Sequence, residues 1–328
     1  MANLLVYLTS RHRIWTLDDK YPRLLADKFP AVRVVSAKDK EESLRHLEEA
    51  EILYAWSLPE KHLGLARRLK WLHVPSAGVD DALYPALVKS GIRITCSRGI
   101  SSAALADHAL GMILCFSRGL ALAIRNQIAG EWGRDAFFAG NLLPFELDGK
   151  VIGILGFGSI GRELARRARA CGMKVHALKR DPAGEDDLPD RLFGPREMRE
   201  FLGTADFLVV TLPLTRETRG ILDAAALKAM KPGSFLVNVS RGALVLEEAL
   251  LGVLASGHLA GAALDVFEAE PLPDSSPLYG FPNVVLTPHI GGLHPHYLDR
   301  ATSLFIVNLS RYLKGEPLLH EVDKRAGY

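Results

Sequence analysis

The stretch VIGILGFGSIGRELARRA, beginning at residue 151, constrains the fold more than any other part of the chain. It opens with a short apolar run suited to a buried strand. Three glycines follow at 156, 158 and 161, and then an amphipathic segment with a helical period. Gly156 permits a tight turn, Gly158 lets backbone approach a pyrophosphate, and Gly161 lets helix and strand pack closely. Ser159, Ile160 and Gly161 open the helix, so their N–H groups face any phosphate bound there. A bare GxGxxG is weak evidence. Here the flanking strand and helix, and a second strand KVHAL, supply the context that the motif requires. A parallel α/β sheet that binds a dinucleotide is expected.

The second strand runs out near Leu178 and continues as Lys179, Arg180 and Asp181. An Asp or Glu at its end commonly accepts the ribose hydroxyls of NAD. A carboxylate would repel a 2′-phosphate, whereas a basic fork would hold one. Lys179 and Arg180 therefore favour NADP(H). Two alternatives stay open. The two bases can be solvated loop residues, or a slip of two residues can put Asp181 on the ribose and restore NAD(H).

A βα rhythm fills both parts of the chain. NLLVYLT, VRVVS, EILYAW, WLHVPS and RITCS read as strands, with KEESLRHLEEA and PEKHLGLARRL as helices between them. One long helix is expected over 101–128, with Gly130 as its stop. A second series of strands follows: KVIGILGF, KVHAL, FLVVTLPL, GSFLVNVS, GAALDVF and NVVLTPH. The C-terminal helix LHPHYLDRATSLFIVNLSRYLKG is expected to pack back on the first unit. The fold class is thus α/β, with two doubly wound parallel-sheet domains and a cleft between them to hold a ligand.

The 328 residues carry a formal net charge of +2 with acids and bases interspersed, which gives no argument for a nucleic-acid or membrane partner. The first apolar run is too short for a signal peptide, and SSAALADHALGMILCFS is interrupted by Asp107 and His108. The three cysteines form no CxxC pair, which suits a reducing, cytoplasmic compartment. His294 and His296 form an HxH pair at a helix start, and no metal is expected there. His108, on the long helix, reads as a packing residue. Tyr54 and Trp56 end the third strand, where strand-end packing and a place in a substrate pocket are equally open.

Three later segments follow strands of the second series: NVSRGALV with Arg241, LDVFEAEPLP with Asp265 and Glu270, and LTPHIGG with His289. All are expected at the carboxyl edge, where such sheets bind ligands. An Arg can clamp a carboxylate by two parallel hydrogen bonds. A His paired with a carboxylate can carry a proton near neutral pH. With a nicotinamide beside them, these residues read as machinery for reducing a 2-keto acid, or for the reverse.

Taken together, GFGSIG, LPLTRET, MKPGSFLVNVSRGALV, ALDVFEAEPLP and TPHIGG resemble the NAD(P)-dependent D-2-hydroxyacid dehydrogenase family over essentially the whole chain. The resemblance implies two Rossmann-like domains: a discontinuous substrate domain, 1–98 and 291–328, and a dinucleotide-binding domain, 99–290. It makes Arg241 the ligand of the substrate carboxylate and carbonyl, His289 the general acid/base and Glu270 its partner. Asp265 would face the nicotinamide end. Ala77 and Gly78, in WLHVPSAGVDD, would hold the carboxylate through backbone N–H groups. Thr218, Val239, Ser240 and Gly291 match positions lining the cofactor.

The expected reaction is hydride transfer between NAD(P)H and a 2-keto acid to give a D-2-hydroxy acid. Glyoxylate and hydroxypyruvate are the first candidates, and bulkier 2-keto acids stay open. The alternatives are an NAD enzyme like 3-phosphoglycerate dehydrogenase and a non-enzymatic NAD(H)-sensing protein like the family's corepressors. Intact Arg241, Glu270 and His289 weigh against the latter. Glu270 also stands where formate dehydrogenase relatives carry Gln. The resemblance further implies a homodimer through the cofactor domain, using the long helix and the loop around Trp132.

Overall fold

The computed structural model of the chain describes residues 1–138, 143–182 and 187–328. It divides into two compact units, Met1–Ser101 with His294–Tyr328, and Ser102–Leu293. The boundaries expected from sequence lie a few residues before each of these breaks.

In the first unit, β1 (Ala2–Tyr7), β2 (Val32–Ser36), β3 (Ile52–Ala55), β4 (Trp71–Val74) and β5 (Arg93–Cys96) form one five-stranded sheet in the order β2-β1-β3-β4-β5. Every pairing is parallel. Strands β1, β3, β4 and β5 are short because they are largely buried on both faces and need only four to six residues to cross the core, whereas the edge strand β2 buries only Val32 fully. Between them run α1 (Lys20–Lys28), α2 (Lys40–Leu47) and α3 (Pro85–Lys89). The Asp39 side chain caps α2 by accepting from the Glu42 amide, which satisfies one of the helix's orphan donors.

On one face of this sheet, Trp71, Tyr54 and Phe305 are fully buried, with Phe305 stacked on both neighbours. Burying a side chain of that size stabilises by roughly 1.5–3 kcal/mol. Phe305 belongs to the last helix, Tyr297–Leu313, and so fixes that helix to the first unit. Beyond it, Glu321 bridges Thr95 and the Val322 amide donates to Ile94, so the tail covers the edge strand β5.

The second unit holds β6 (Val151–Leu155), β7 (Lys174–Leu178), β8 (Arg191–Phe193), β9 (Phe207–Val210), β10 (Phe235–Asn238), β11 (Gly261–Leu264) and β12 (Val284–Leu286). Their order is β12-β11-β10-β9-β6-β7-β8. The chain reverses direction across the sheet between β6 and β9, which is the switch point where open α/β sheets bind ligands. Its helices are α4 (Ser102–Ser117), α5 (Leu120–Ala129), α6 (Ser159–Ala170), α7 (Met198–Thr204), α8 (Ala224–Ala229) and α9 (Glu247–Ala255), and the C-terminal helix of the first unit becomes α10. Ala106 and Ala109 of α4 meet Ala165 and Ala168 of α6 in a buried cluster, where small side chains let the helices approach closely.

The structure corrects three expectations. The long helix over 101–128 is two helices, α4 and α5, bent by 71°. Gly119 makes the break at φ 63°, and an added Cβ there would lie 2.6 Å from the Phe137 ring, so neither the turn nor the packing admits a larger residue. PEKHLGLARRL forms a short 3-10 turn, Glu60–Leu65, in place of an α-helix. Helix α1 and strand β8 add elements that the sequence did not announce. Among the described residues no single helix is long and apolar enough to cross a membrane; only the bent pair α4 and α5 passes together by length and composition.

Candidate active site

The glycine turn sits at the switch point of the second sheet. Gly156 follows β6 with φ 103°, and an added Cβ would lie 2.8 Å from the Leu212 amide, just beyond β9. Gly161 is equally confined: its Cβ would lie 2.8 Å from the Gly156 carbonyl oxygen. Gly158 differs, because nothing lies within 4 Å of an added Cβ. No side chain caps α6 at Gly158, so the first amides of the helix, at Ser159 and Ile160, are open to an anion. One glycine for the turn, one for the helix–strand contact and one facing open space is the arrangement that a pyrophosphate requires.

The end of β7 is well defined. The Leu178 carbonyl accepts from Gly156, and the Lys179 amide donates to Phe193 of β8 at 3.1 Å. Lys179 is thus the first residue beyond the strand and is half-buried, while Arg180 and Asp181 are exposed. Thr218 closes the loop after β9: its hydroxyl donates to the Pro213 carbonyl at 2.7 Å and accepts from the Thr215 amide at 2.8 Å. Ser240 donates its hydroxyl to the Leu212 carbonyl, which ties the loop after β10 to the loop after β9. Val239 is buried beside it.

Arg241 follows in extended backbone, φ −142°, and its Nη1 donates to the Ser240 carbonyl at 2.8 Å. The next residue explains why this loop lies against the one after β11. An added Cβ on Gly242 would fall 1.9 Å from the Phe267 carbonyl carbon, so only glycine lets the two backbones meet. The Phe267 amide in turn donates to Glu270 Oε1 at 2.9 Å. The other carboxylate oxygen of Glu270 lies 2.7 Å from His289 Nδ1. The carboxylate therefore bridges backbone and imidazole, orients the ring, and leaves Nε2 as the nitrogen free to face a reactant. Both side chains are partly exposed, His289 at 49% and Glu270 at 36%, so a small molecule can reach the pair.

Beneath them lies Asp265, only 1% exposed. It accepts from the Thr287 hydroxyl at 2.6 Å, the Ile290 amide at 2.9 Å and the Gly291 amide at 2.8 Å. Burial pushes its carboxyl up, but these bonds and that from His108 outweigh burial and hold it below the usual carboxylate range. The Asp265 carbonyl also accepts from the His289 amide at 2.9 Å. His289 itself has φ 53°, a conformation that costs a non-glycine residue about 1–2 kcal/mol. The four bonds to Asp265 hold it there.

In the first unit, the turn after β4 carries Ala77, exposed, and Gly78, half-exposed. Ser76 donates its hydroxyl to the Gly78 carbonyl at 2.7 Å, and the Ser76 carbonyl accepts from Ser97 at 2.9 Å. Among the described residues no oxygen accepts from the amides of Ala77 and Gly78. Tyr54 belongs to the core, bonded to Thr302 at 3.2 Å. Trp56 is half-buried at the carboxyl edge and donates to the Trp15 carbonyl. His294 approaches Ser101 at 3.4 Å, and His296 pairs with Asp299 at 3.2 Å. His108, expected from sequence to pack, also makes a polar contact: its Nε2 lies 3.0 Å from the Thr287 hydroxyl. No sequence spacing links it to Thr287, which lies on a different segment of the unit.

A parallel sheet with a glycine turn at its switch point and a histidine–carboxylate pair at the same edge defines a nucleotide-dependent oxidoreductase. Residues 110–291, more than half the chain, match the model of the D-isomer specific 2-hydroxyacid dehydrogenase NAD binding domain. The chain is 36% identical to the glyoxylate reductase of Pyrococcus furiosus over 76% of its length and 75% of that protein's. It is 31% identical to the D-3-phosphoglycerate dehydrogenase of Bacillus subtilis over 93% of its length and 57% of that protein's. The solved NADPH-dependent glyoxylate/hydroxypyruvate reductase of Sinorhizobium meliloti, in complex with NADP and sulfate, superposes with TM-score 0.83 at 27% identity, with full coverage of both chains. The chain belongs to the D-isomer specific 2-hydroxyacid dehydrogenase family, and it is an NAD(P)-binding oxidoreductase.

Proposed function

We propose that the chain reduces a short 2-keto acid, glyoxylate or hydroxypyruvate in the first place, to the D-2-hydroxy acid with NADPH. The observation that carries this reading is the 2.7 Å contact between His289 and Glu270 beside the Arg241 loop. Arg241 pairs with the substrate carboxylate and polarises the carbonyl. The amides of Ala77 and Gly78 hold the same carboxylate. His289, oriented by Glu270, gives a proton from Nε2 to the oxygen as it becomes an alkoxide. The reduced nicotinamide, when bound, supplies the hydride.

Gly156, Gly158, Ser159, Ile160 and Gly161 serve the pyrophosphate. Thr218, Val239, Ser240, Asp265 and Gly291 line the remainder of the cofactor site. Lys179 and Arg180 pair with the 2′-phosphate, a reading supported by the place of Lys179 directly after β7 and by the NADP-bound relative. NAD(H) serves as a poorer cofactor. A panel of 2-keto acids, including phosphohydroxypyruvate, assayed with NADPH and NADH, tests this reading; fastest turnover of phosphohydroxypyruvate with NADH would replace it.

The same reading makes the protein a cytoplasmic homodimer. Its three cysteines are free, in keeping with a reducing compartment. Ile124 and Ile128, one turn apart on α5, and Trp132 and Phe138 in the segment after it are exposed apolar residues, with Ile128 82% and Trp132 89% exposed. Sedimentation of the wild type and of Ile128→Glu tests the dimer; a wild-type monomer would refute it.

A further inference from the structure

His108 stands on α4, one residue after Asp107, whose carboxylate accepts from Arg167 of α6 at 2.6 Å. That ion pair and the alanine contact between the two helices fix the rotation of α4 and aim His108 at the loop after β12. There its Nε2 lies 3.0 Å from the Thr287 hydroxyl and 3.4 Å from Asp265 Oδ1. The proton on Nε2 can be assigned by elimination. Thr287 donates its single hydroxyl proton to Asp265. Its oxygen then has only lone pairs for His108, and carboxylate oxygen also only accepts, so Nε2 carries the hydrogen.

This donor closes a network around His289. Asp265 accepts from the amides of Ile290 and Gly291, the two residues after His289, while its carbonyl accepts from His289 itself. Gly291 is enclosed by the same two side chains: an added Cβ would lie 2.8 Å from Asp265 Oδ2 and 2.9 Å from His108 Cδ2. The left-handed backbone of His289 is thus held from one side by Asp265, and Asp265 is held by His108.

We propose that His108 is a positioning residue for the acid/base group: its Nε2–H, given to Thr287 and Asp265, holds the loop that aims His289. The inference rests on the proposed role of His289 and deepens it. Without the donor, Asp265 keeps its charge with one partner fewer, the Thr287–Gly291 loop loosens, and proton delivery suffers while the glycine turn is untouched.

The test uses the full chain, with glyoxylate reduction by NADPH normalised to the sites that bind NADPH in a fluorescence titration. His108→Phe lowers kcat at least tenfold and leaves the NADPH Kd within threefold of wild type. His108→Gln, whose amide can donate from a similar place, returns kcat to within threefold of wild type. Thr287→Val, which removes the acceptor, lowers kcat as His108→Phe does, and the double variant is no worse than either single one; this holds the test open if His108→Phe fails to fold. Wild-type kcat in His108→Phe or Thr287→Val, or His108→Gln as slow as His108→Phe, would overturn the inference. His289→Ala is measured alongside. Normal turnover in that variant means that the acid/base reading itself has failed, whereas a slow His289→Ala beside a normal His108→Phe means that only the positioning role has.

Discussion

His289 and Glu270 share one hydrogen bond, 2.7 Å from Nδ1 to Oε2, and the second oxygen of Glu270 is occupied by the Phe267 amide. The carboxylate is therefore fixed before it meets the imidazole. Replacing Glu270 with Gln keeps the shape and removes the charge beside the ring. In the proposed reduction Glu270 holds the ring so that Nε2 faces the substrate oxygen, and an amide at that place can turn its NH2 toward Nδ1 and lose this hold. Turnover of Glu270→Gln should fall about tenfold with an NADPH Kd within threefold of wild type. Wild-type turnover in this variant would break the assigned pairing.

Arg241 sits where two loops are pressed together over Gly242. A guanidinium can meet a carboxylate with two parallel bonds, and an ammonium cannot. Arg241→Lys should raise KM for glyoxylate at least tenfold and lower kcat, with NADPH affinity within a factor of about three. Wild-type KM in this variant would place the carboxylate elsewhere.

Lys179, directly beyond β7, tests cofactor choice. Each charge-assisted bond to a 2′-phosphate is worth roughly 1.5–3 kcal/mol where water is excluded, and solvent around half-buried Lys179 and exposed Arg180 lowers this, so two favour NADPH by about tenfold to several hundredfold. Salt should narrow that ratio. Lys179→Asp should lower kcat/KM with NADPH sharply and narrow or invert the preference. Equal use of both cofactors by the wild type would instead favour Asp181 on the ribose.

His73 offers a test of stability against pH. It is fully buried between Thr95 and Ser97, and burial pushes its pKa down to about 3. The native state refuses a proton that the unfolded chain accepts below its ordinary value of about 6.5. This contribution is therefore complete above that pH and is lost as pH falls toward 3, at up to about 1.4 kcal/mol per unit. Denaturant unfolding between pH 7 and 5 should show the loss in wild type and a shallower slope in His73→Gln. Parallel slopes would contradict it.

Much of this architecture was legible because its signals are local. A buried parallel strand is a short apolar run, and the sequence shows eleven of the twelve strands in that form. The exception, β8, has three residues at a sheet edge, too few to show a pattern. Helix α1 was hidden by Pro22, which a first helical turn tolerates but which reads as a breaker. The bend at Gly119 was hidden because apolar residues continue on both sides of it, and the Phe137 ring that occupies the space over Gly119 comes from a later turn. In the site, Arg241, Asp265, Glu270 and His289 stood out by motif. His108 did not, because its partners lie far away in sequence and only folding brings them within reach.

The most direct test of the whole account is the turnover of His289→Ala with glyoxylate and NADPH, beside its affinity for NADPH. Loss of a positioned proton donor removes about 10²–10⁴-fold in rate. The expected result is a fall of that order in kcat with an NADPH Kd close to wild type, since the glycine turn at Gly156–Gly161 lies on other loops. A His289→Ala enzyme that reduces glyoxylate at the wild-type rate would contradict it.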